Sequence, residues 1–426
     1  MELIALLLLL AILLAAGVPV AFALGAASLV MFWALGVPAI VAFQRLAAGM
    51  NVFALMAIPF FVFAGELMAR AGIAERLIKV AEGMFGRARG GLGQVDVGAS
   101  MLFGAVSGSA AASVSALGST LIPMMKDKGY DADYAVNVTI TAAILGILIP
   151  PSHNMIIYAA AAPIGIDVGA LFLAGVVPGL IAGGALMATA WIVAVKRGYP
   201  RGAFPGWRPF LRALVLAFPG LMTALIIVFG VLMGVFTPTE SAAVAVVYTI
   251  VIGFALYRTL DARRFFEAAA GAVKTTAMVM LIIGAAGMFG WLFALLEGPQ
   301  ALSGLLTAAS GEPAAVMLLI LIILLVLGAF MDMAPLIIIT TPIFLPVAMD
   351  AGVDPVHFGI VMLLNLGIGL VTPPVGSVLF LGCAVGGARP EDVVRTIWPF
   401  YGALIAVLLL VAYVPALTLW LPGALK

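Results

Sequence analysis

The sequence predicts an all-α polytopic membrane protein made of two inverted-topology repeats, each with five crossings and one re-entrant hairpin. Three observations carry that prediction. Of 426 residues, 65% are hydrophobic and only 9% charged, so most of the chain is solvated by lipid. The stretches between charge clusters approach or exceed the roughly 20 apolar residues a helix needs to cross the hydrocarbon core. Finally, the chain matches itself when shifted by 223 positions.

The apolar runs are unbroken in Leu, Ile, Ala and Val rather than alternating, which selects helices over barrel strands. The single cysteine, Cys383, excludes an intrachain disulfide and any cysteine-based metal cluster. A net charge of +1 carries no message about nucleic acid. Residues 3–16 have the apolar core of a signal peptide, but Glu2 stands where a basic start is required, so the segment reads as a retained helix. No phosphate-binding loop, metalloprotease signature or Ser-His-Asp set is present, which argues against an ATP-driven pump or an enzyme.

In chain order the apolar segments are 3–16, 18–36, 50–69, 95–123, 134–162, 168–195, 211–235, 238–257, 274–295, 314–346, 355–386 and 396–421. Segments 3–16 and 18–36 read as two crossings or as one long bent helix. Segments 95–123 and 314–346 are long and interrupted by Gly, Ser or Pro, and read as re-entrant hairpins. With ten crossings, eighteen of twenty basic residues fall on one side, leaving only Arg45 and Lys426 on the other. That asymmetry makes the basic side cytoplasmic and both termini periplasmic. Residues 74–90 and 259–270 mix Arg, Lys and Glu with Leu77, Ile78, Phe85, Phe265 and Phe266, the pattern of amphipathic helices on the inner surface.

The internal match pairs 122–155 with 345–378, including Asp127/Asp350, Gly129/Gly352, Gly146/Gly369 and Pro150-Pro151/Pro373-Pro374. The first repeat spans 1–195, with hairpin 95–123 and broken helix 134–162. A cytoplasmic linker covers 196–212, and the second repeat runs over 211–426, with hairpin 314–346 and broken helix 355–386. An odd number of crossings per repeat forces the second copy to run inverted. Paired interrupted helices in inverted repeats are the signature of secondary transporters binding solute and ion near the midplane.

The interruptions hold the candidate site. Hairpin one turns at Val106-Ser107-Gly108-Ser109-Ala110, where hydroxyls and freed carbonyls suit Na⁺, or where small residues let helices pack closely. The first break runs Gly146-Ile147-Leu148-Ile149-Pro150-Pro151-Ser152-His153-Asn154; its prolines lack N–H groups and leave carbonyls one turn back to be satisfied by protein, water or an ion. The second copy offers Gly328 to Pro335, containing Asp332, and Leu370 to Ser377, containing Thr372, Pro374 and Gly376. Asp332 is a costly intramembrane carboxylate, a ligand candidate or a cap for the returning arm. Glu240 reads as part of a helix start with Thr237 and Pro238, whereas Glu66 and Asp96 read as partners for backbone or loop donors. His153 sits in the break, and His357 is assigned to an outer loop.

At these residues the sequence resembles the large membrane subunit of tripartite ATP-independent periplasmic (TRAP) transporters, over the whole chain. The resemblance rests on Gly17 to Gly25, Ile58 to Met68, Ser107-Gly108-Ser109, Pro150-Pro151-Ser152, Thr237 to Glu240 and Thr372 to Gly376. It implies an elevator-type, Na⁺-driven permease of a bacterial or archaeal inner membrane. It also implies two partners, a small four-helix membrane subunit and a periplasmic substrate-binding protein delivering a small organic anion. The small subunit is expected as a separate chain. By position, Ser107, Ser109, Gly146, Pro150 and Asn154 resemble one Na⁺ site, and Gly328, Asp332, Thr372, Pro374 and Gly376 the second. Substrate is expected between the tips, at Ser109, Ser152, Asn154, Asp332 and Thr372. Ala110 and Ala111 stand where a further hydroxyl is often found, and no intramembrane Arg is apparent as the carboxylate's partner. The rival expectation is a self-sufficient Na⁺- or H⁺-coupled anion symporter.

Overall fold

The computed structural model describes residues 1–298, 300–301, 304 and 312–425. Among them the regular structure is helical throughout, apart from one isolated bridge between Arg89 and Arg201. Lys426, placed on the outer side by the charge distribution, lies outside the described residues.

The chain opens with α1 (Glu2–Ala15) and α2 (Val20–Ala34), which pack on each other. They are two helices because Gly17 adopts φ 78° and Pro19 cannot continue a helix. Each is shorter than a full bilayer crossing. Next comes α3 (Ala39–Met50), which the segment division passes over because Gln44 and Arg45 interrupt its apolar run. It packs on α15 (Ala262–Leu295), the two backbones meeting at Gly49, Gly284 and Gly287. The helix α4 (Ala57–Arg70) bends by 69° into α5 (Ile73–Phe85) at Gly72, so the amphipathic stretch near 74–90 is a separate element. The counterpart at 259–270 is not: from residue 262 it forms the first turns of the 34-residue α15, started by the Asp261 cap and continued without a helix breaker.

Hairpin one consists of α6 (Gly91–Ser107), a short α7 (Ala110–Ser113), a π-helical turn and α8 (Ser119–Asp127). The first broken helix is α9 (Ala132–Ala143) with α10 (Leu145–Leu148), then α11 (His153–Ala161), bent by 52° at the break. The helices α12 (Val168–Lys196), α13 (Trp207–Leu232) and α14 (Pro238–Val251) follow. The start of α14 is the expected capping box, with Thr237 and Glu240 satisfying each other's backbone N–H groups.

Hairpin two is α16 (Pro313–Phe330) and α17 (Met333–Asp350); the second broken helix is α18 (Pro355–Gly369) and α19 (Ser377–Gly386). The chain closes with α20 (Pro390–Thr396), α21 (Trp398–Tyr413) and α22 (Ala416–Ala424). His357 is not in an outer loop. It is buried in the first turn of α18, its ring nitrogens 2.8 Å from Thr418 Oγ1 and 3.2 Å from the Ala412 carbonyl.

Local geometry recurs 223 positions apart. Gly129 and Gly352 take φ 81° and 82°, and Pro150-Pro151 and Pro373-Pro374 are both cis. Each hairpin also meets its broken helix through glycines. A Cβ on Gly104 would overlap the Gly146 backbone, and one on Gly369 would lie 2.6 Å from Gly328.

Candidate functional site

Hairpin one turns at Gly108, whose φ of 62° favours glycine and whose added Cβ would sit 3.0 Å from the Pro151 carbonyl oxygen. Its tip is thus seated on the first break, and Asn154 Nδ2 approaches the Gly108 carbonyl at 3.5 Å. Ser109 caps α7, its hydroxyl accepting from the Ala112 N–H. Ser113, one turn on, donates to the Ser109 carbonyl at 3.0 Å and lies 3.4 Å from Ser107 Oγ. Ser113 supplies a hydroxyl next to the positions where Ala110 and Ala111 have none. The Ser152 hydroxyl is fully buried and has no partner among the described residues.

In the second copy, Asp332 occupies the N-cap position of α17 but does not cap it with its side chain. Its carboxylate accepts from Ser377 Oγ at 3.0 Å, tying the tip of hairpin two to the start of α19. The carbonyls freed by Pro373 and Pro374 find protein donors: Gly369 accepts from the Thr372 N–H at 2.9 Å, and Leu370 from the Val378 N–H at 3.1 Å. The Val375 N–H crosses to the Ala329 carbonyl of hairpin two at 3.1 Å. Thr372 donates its hydroxyl to the Ile368 carbonyl. Gly376, at φ 28°, has no room for a side chain beside the Thr372 carbonyl.

A cavity of about 760 Å³ opens between these tips and the helices α4 and α15. Of the predicted residues, Ser107, Ser109, Asn154 and Asp332 line it, with His153 beside them; Gly146, Pro150, Ser152, Gly328, Thr372, Pro374 and Gly376 do not. The cavity also has walls that the breaks in the sequence did not signal: Glu66, Arg70, Glu75 and Thr275. Glu66 and Arg70 pair one helical turn apart on α4, a spacing visible in the sequence. Among the described residues the lining sets three carboxylates, Glu66, Glu75 and Asp332, against one guanidinium.

Asp96 meets a side chain of a neighbouring helix rather than a backbone or loop donor. It is fully buried in α6 and joined to Thr139 of α9, with its other carboxyl oxygen unpartnered among the described residues. Thr139 Oγ1 also lies 2.9 Å from the Ala135 carbonyl. No group of His, Cys, Asp and Glu able to hold a metal ion occurs among the described residues; oxygen sites of hydroxyls and carbonyls are of a different kind.

The family model described as "Tripartite ATP-independent periplasmic transporter, DctM component" matches residues 7–417. The chain is 40% identical over 413 residues to the sialic acid TRAP transporter large permease protein SiaM of Vibrio cholerae, covering 96% of each chain. It is 40% identical over 371 residues to the C4-dicarboxylate TRAP transporter large permease protein DctM of Pseudomonas aeruginosa, covering 87% of this chain and 86% of that one. Among solved structures it is similar in fold to the YdaH transporter of Alcanivorax borkumensis, with a TM-score of 0.60 at 14% identity over 90% of this chain and 88% of that one.

Proposed function

The chain belongs to the DctM family, the large membrane components of tripartite ATP-independent periplasmic transporters, and from that premise we propose that it imports a small organic anion with Na⁺ as the coupling ion. The solute class is a carboxylate, a C4-dicarboxylate or a sugar acid, in keeping with the names of its relatives. A periplasmic binding protein delivers it, and a small membrane subunit completes the complex in the inner membrane, with both termini of this chain periplasmic.

The observation that carries the reading is the cavity bounded by both hairpin tips. With three carboxylates facing one guanidinium, an anion entering it meets net repulsion. Cations bound beside the solute remove that repulsion, which makes solute and cation binding mutually dependent. Ser107, Ser109, the carbonyls at Gly146 and Pro150, and Asn154 form the first Na⁺ site; Asp332 with Gly328, Thr372, Pro374 and Gly376 forms the second. Solute lies between the tips, reaching Ser109, Ser152, Asn154, Asp332 and Thr372. Because Ser152 and Thr372 lie outside the cavity lining in this state, solute contact with them requires the tips to shift.

The two repeats, 1–195 and 211–426, supply one hairpin and one broken helix each. These four pieces move together against α4 and α15, carrying the site across the bilayer. Glycine contacts join each hairpin to its own broken helix, and Gly359, Gly367 and Gly382 pack the second broken helix closely on Tyr158, Ile144 and Ile140 of the first, which supports a single moving body. The test is uptake of radiolabelled succinate and sialic acid into proteoliposomes holding the chain with its small subunit. Accumulation requiring both a Na⁺ gradient and the binding protein is expected. Accumulation without the binding protein would replace this reading with a self-sufficient symporter.

A further inference from the structure

We propose that Arg70 and Glu66 form a gated receptor for the solute's carboxylate on the α4 wall of the cavity: Arg70 takes the anion, and Glu66 occupies the guanidinium when solute is absent. The inference rests on the import reading above and names the cation that pairs with the solute.

Arg70 is the one cationic side chain among the described residues lining the cavity. It ends α4, donating Nη1 to both the carboxylate and the carbonyl of Glu66. Its Nε and Nη2 have no partner among the described residues, so one edge of the guanidinium fork is unused. That edge has the geometry for bidentate carboxylate binding. Both side chains of the pair are 32% exposed, facing the cavity rather than the protein core.

Position fits the role. Gly65 brings α4 against hairpin one, where an added Cβ would be 3.1 Å from the Ser107 carbonyl oxygen. Arg70 lies five residues further, about 7–8 Å along the helix axis and about 140° around it, and its long side chain lines the same cavity as Ser107. On the far side Glu66 faces α15 at Gly271, where a Cβ would lie 3.3 Å from its carboxylate, so glycine leaves this acid space to lie.

Energetics fit as well. A half-exposed pair one turn apart on a helix contributes little stability. A solute carboxylate that takes the Nε–Nη2 edge brings like charge beside Glu66, and because the pair is weak, Glu66 leaves Nη1 at little cost. A deeply buried pair would not release its arginine.

The test compares Arg70→Gln, Arg70→Lys and Glu66→Gln in the reconstituted complex, using whichever of succinate and sialic acid the wild-type complex carries. Because Arg70 lies on the basic, cytoplasmic side of a helix that stays still, its effect is read with solute presented to that face: Arg70→Gln is expected to raise the half-saturation concentration of counterflow from the cytoplasmic face by about tenfold or more, with the Na⁺ half-activation at saturating solute unchanged. Arg70→Lys restores part of it, and Glu66→Gln lowers it and slows solute release. Arg70→Gln within about twofold of wild type, or variants that lose rate with unchanged half-saturation, would overturn the inference while leaving the import reading standing. Melting curves of the purified complexes exclude misfolding. A wild-type complex carrying neither solute would fail the import reading itself, and this one with it.

Discussion

At the residue scale, two buried or cavity-facing carboxylates do different work. Thr139 has one hydroxyl proton and two close acceptors, the Ala135 carbonyl and Asp96. A neutral acid at Asp96 satisfies both contacts by donating to Thr139, whereas a carboxylate would leave one contact without a proton. Asp96→Asn, which can also donate, should therefore keep stability within about 1 kcal/mol of wild type. Asp96→Lys, leaving an unpaired buried charge, should abolish the folded complex; thermal melting checks both, and Asp96→Asn as damaging as Asp96→Lys would show the residue to be ionised. Asp332 faces the cavity and bonds Ser377. Asp332→Asn should weaken Na⁺ activation of uptake by about tenfold or more, measured as the Na⁺ concentration giving half-maximal rate, with the melting temperature nearly unchanged.

At the element scale the hairpins and broken helices are held by glycine contacts and tip hydrogen bonds. Gly104→Leu drives a side chain into the Gly146 backbone and should destabilise the protein by about 1–3 kcal/mol. Thr237→Ala, which removes a cap remote from the cavity, should cost about 1 kcal/mol and leave uptake kinetics unchanged. Both are read from melting curves beside uptake. Much of this level was legible in the sequence, because Pro-Pro pairs and Ser-Gly-Ser turns declare themselves by local backbone chemistry. The α14 capping box was legible for the same reason. The helix α3 was not, since Gln44 and Arg45 dilute its hydropathy while its close packing depends on Gly284 and Gly287, far along the chain. The extension of α15 through 262–270 was missed because an amphipathic start looks alike whether the helix stops or continues. Glu66 and Arg70 showed an ordinary helical pair spacing; that the pair faces a cavity is a property of tertiary structure alone. Asp96 sat near a predicted hairpin start, and only the fold reveals that α9 buries it.

At the scale of the whole molecule, the proposed transport cycle requires the tips and breaks to move as one body past α4 and α15. In a Cys383→Ser background, cysteines at Ile282 of α15 and Ala334 of α17, both lining the cavity, can be joined by a bifunctional maleimide. Crosslinking should stop uptake and reduction of a cleavable linker restore it; uninterrupted uptake would mean that the block does not move past α15. The composition and the relatives agree on a membrane transporter, but the central claim is that cation and anion share the cavity. Its most direct test is to follow radiolabelled sodium and radiolabelled solute entering the same proteoliposomes. Solute entry is expected to be accompanied by sodium entry in a fixed ratio, and Asp332→Asn to lose both together. Solute accumulation with no accompanying sodium entry, driven by a proton gradient alone, would contradict it.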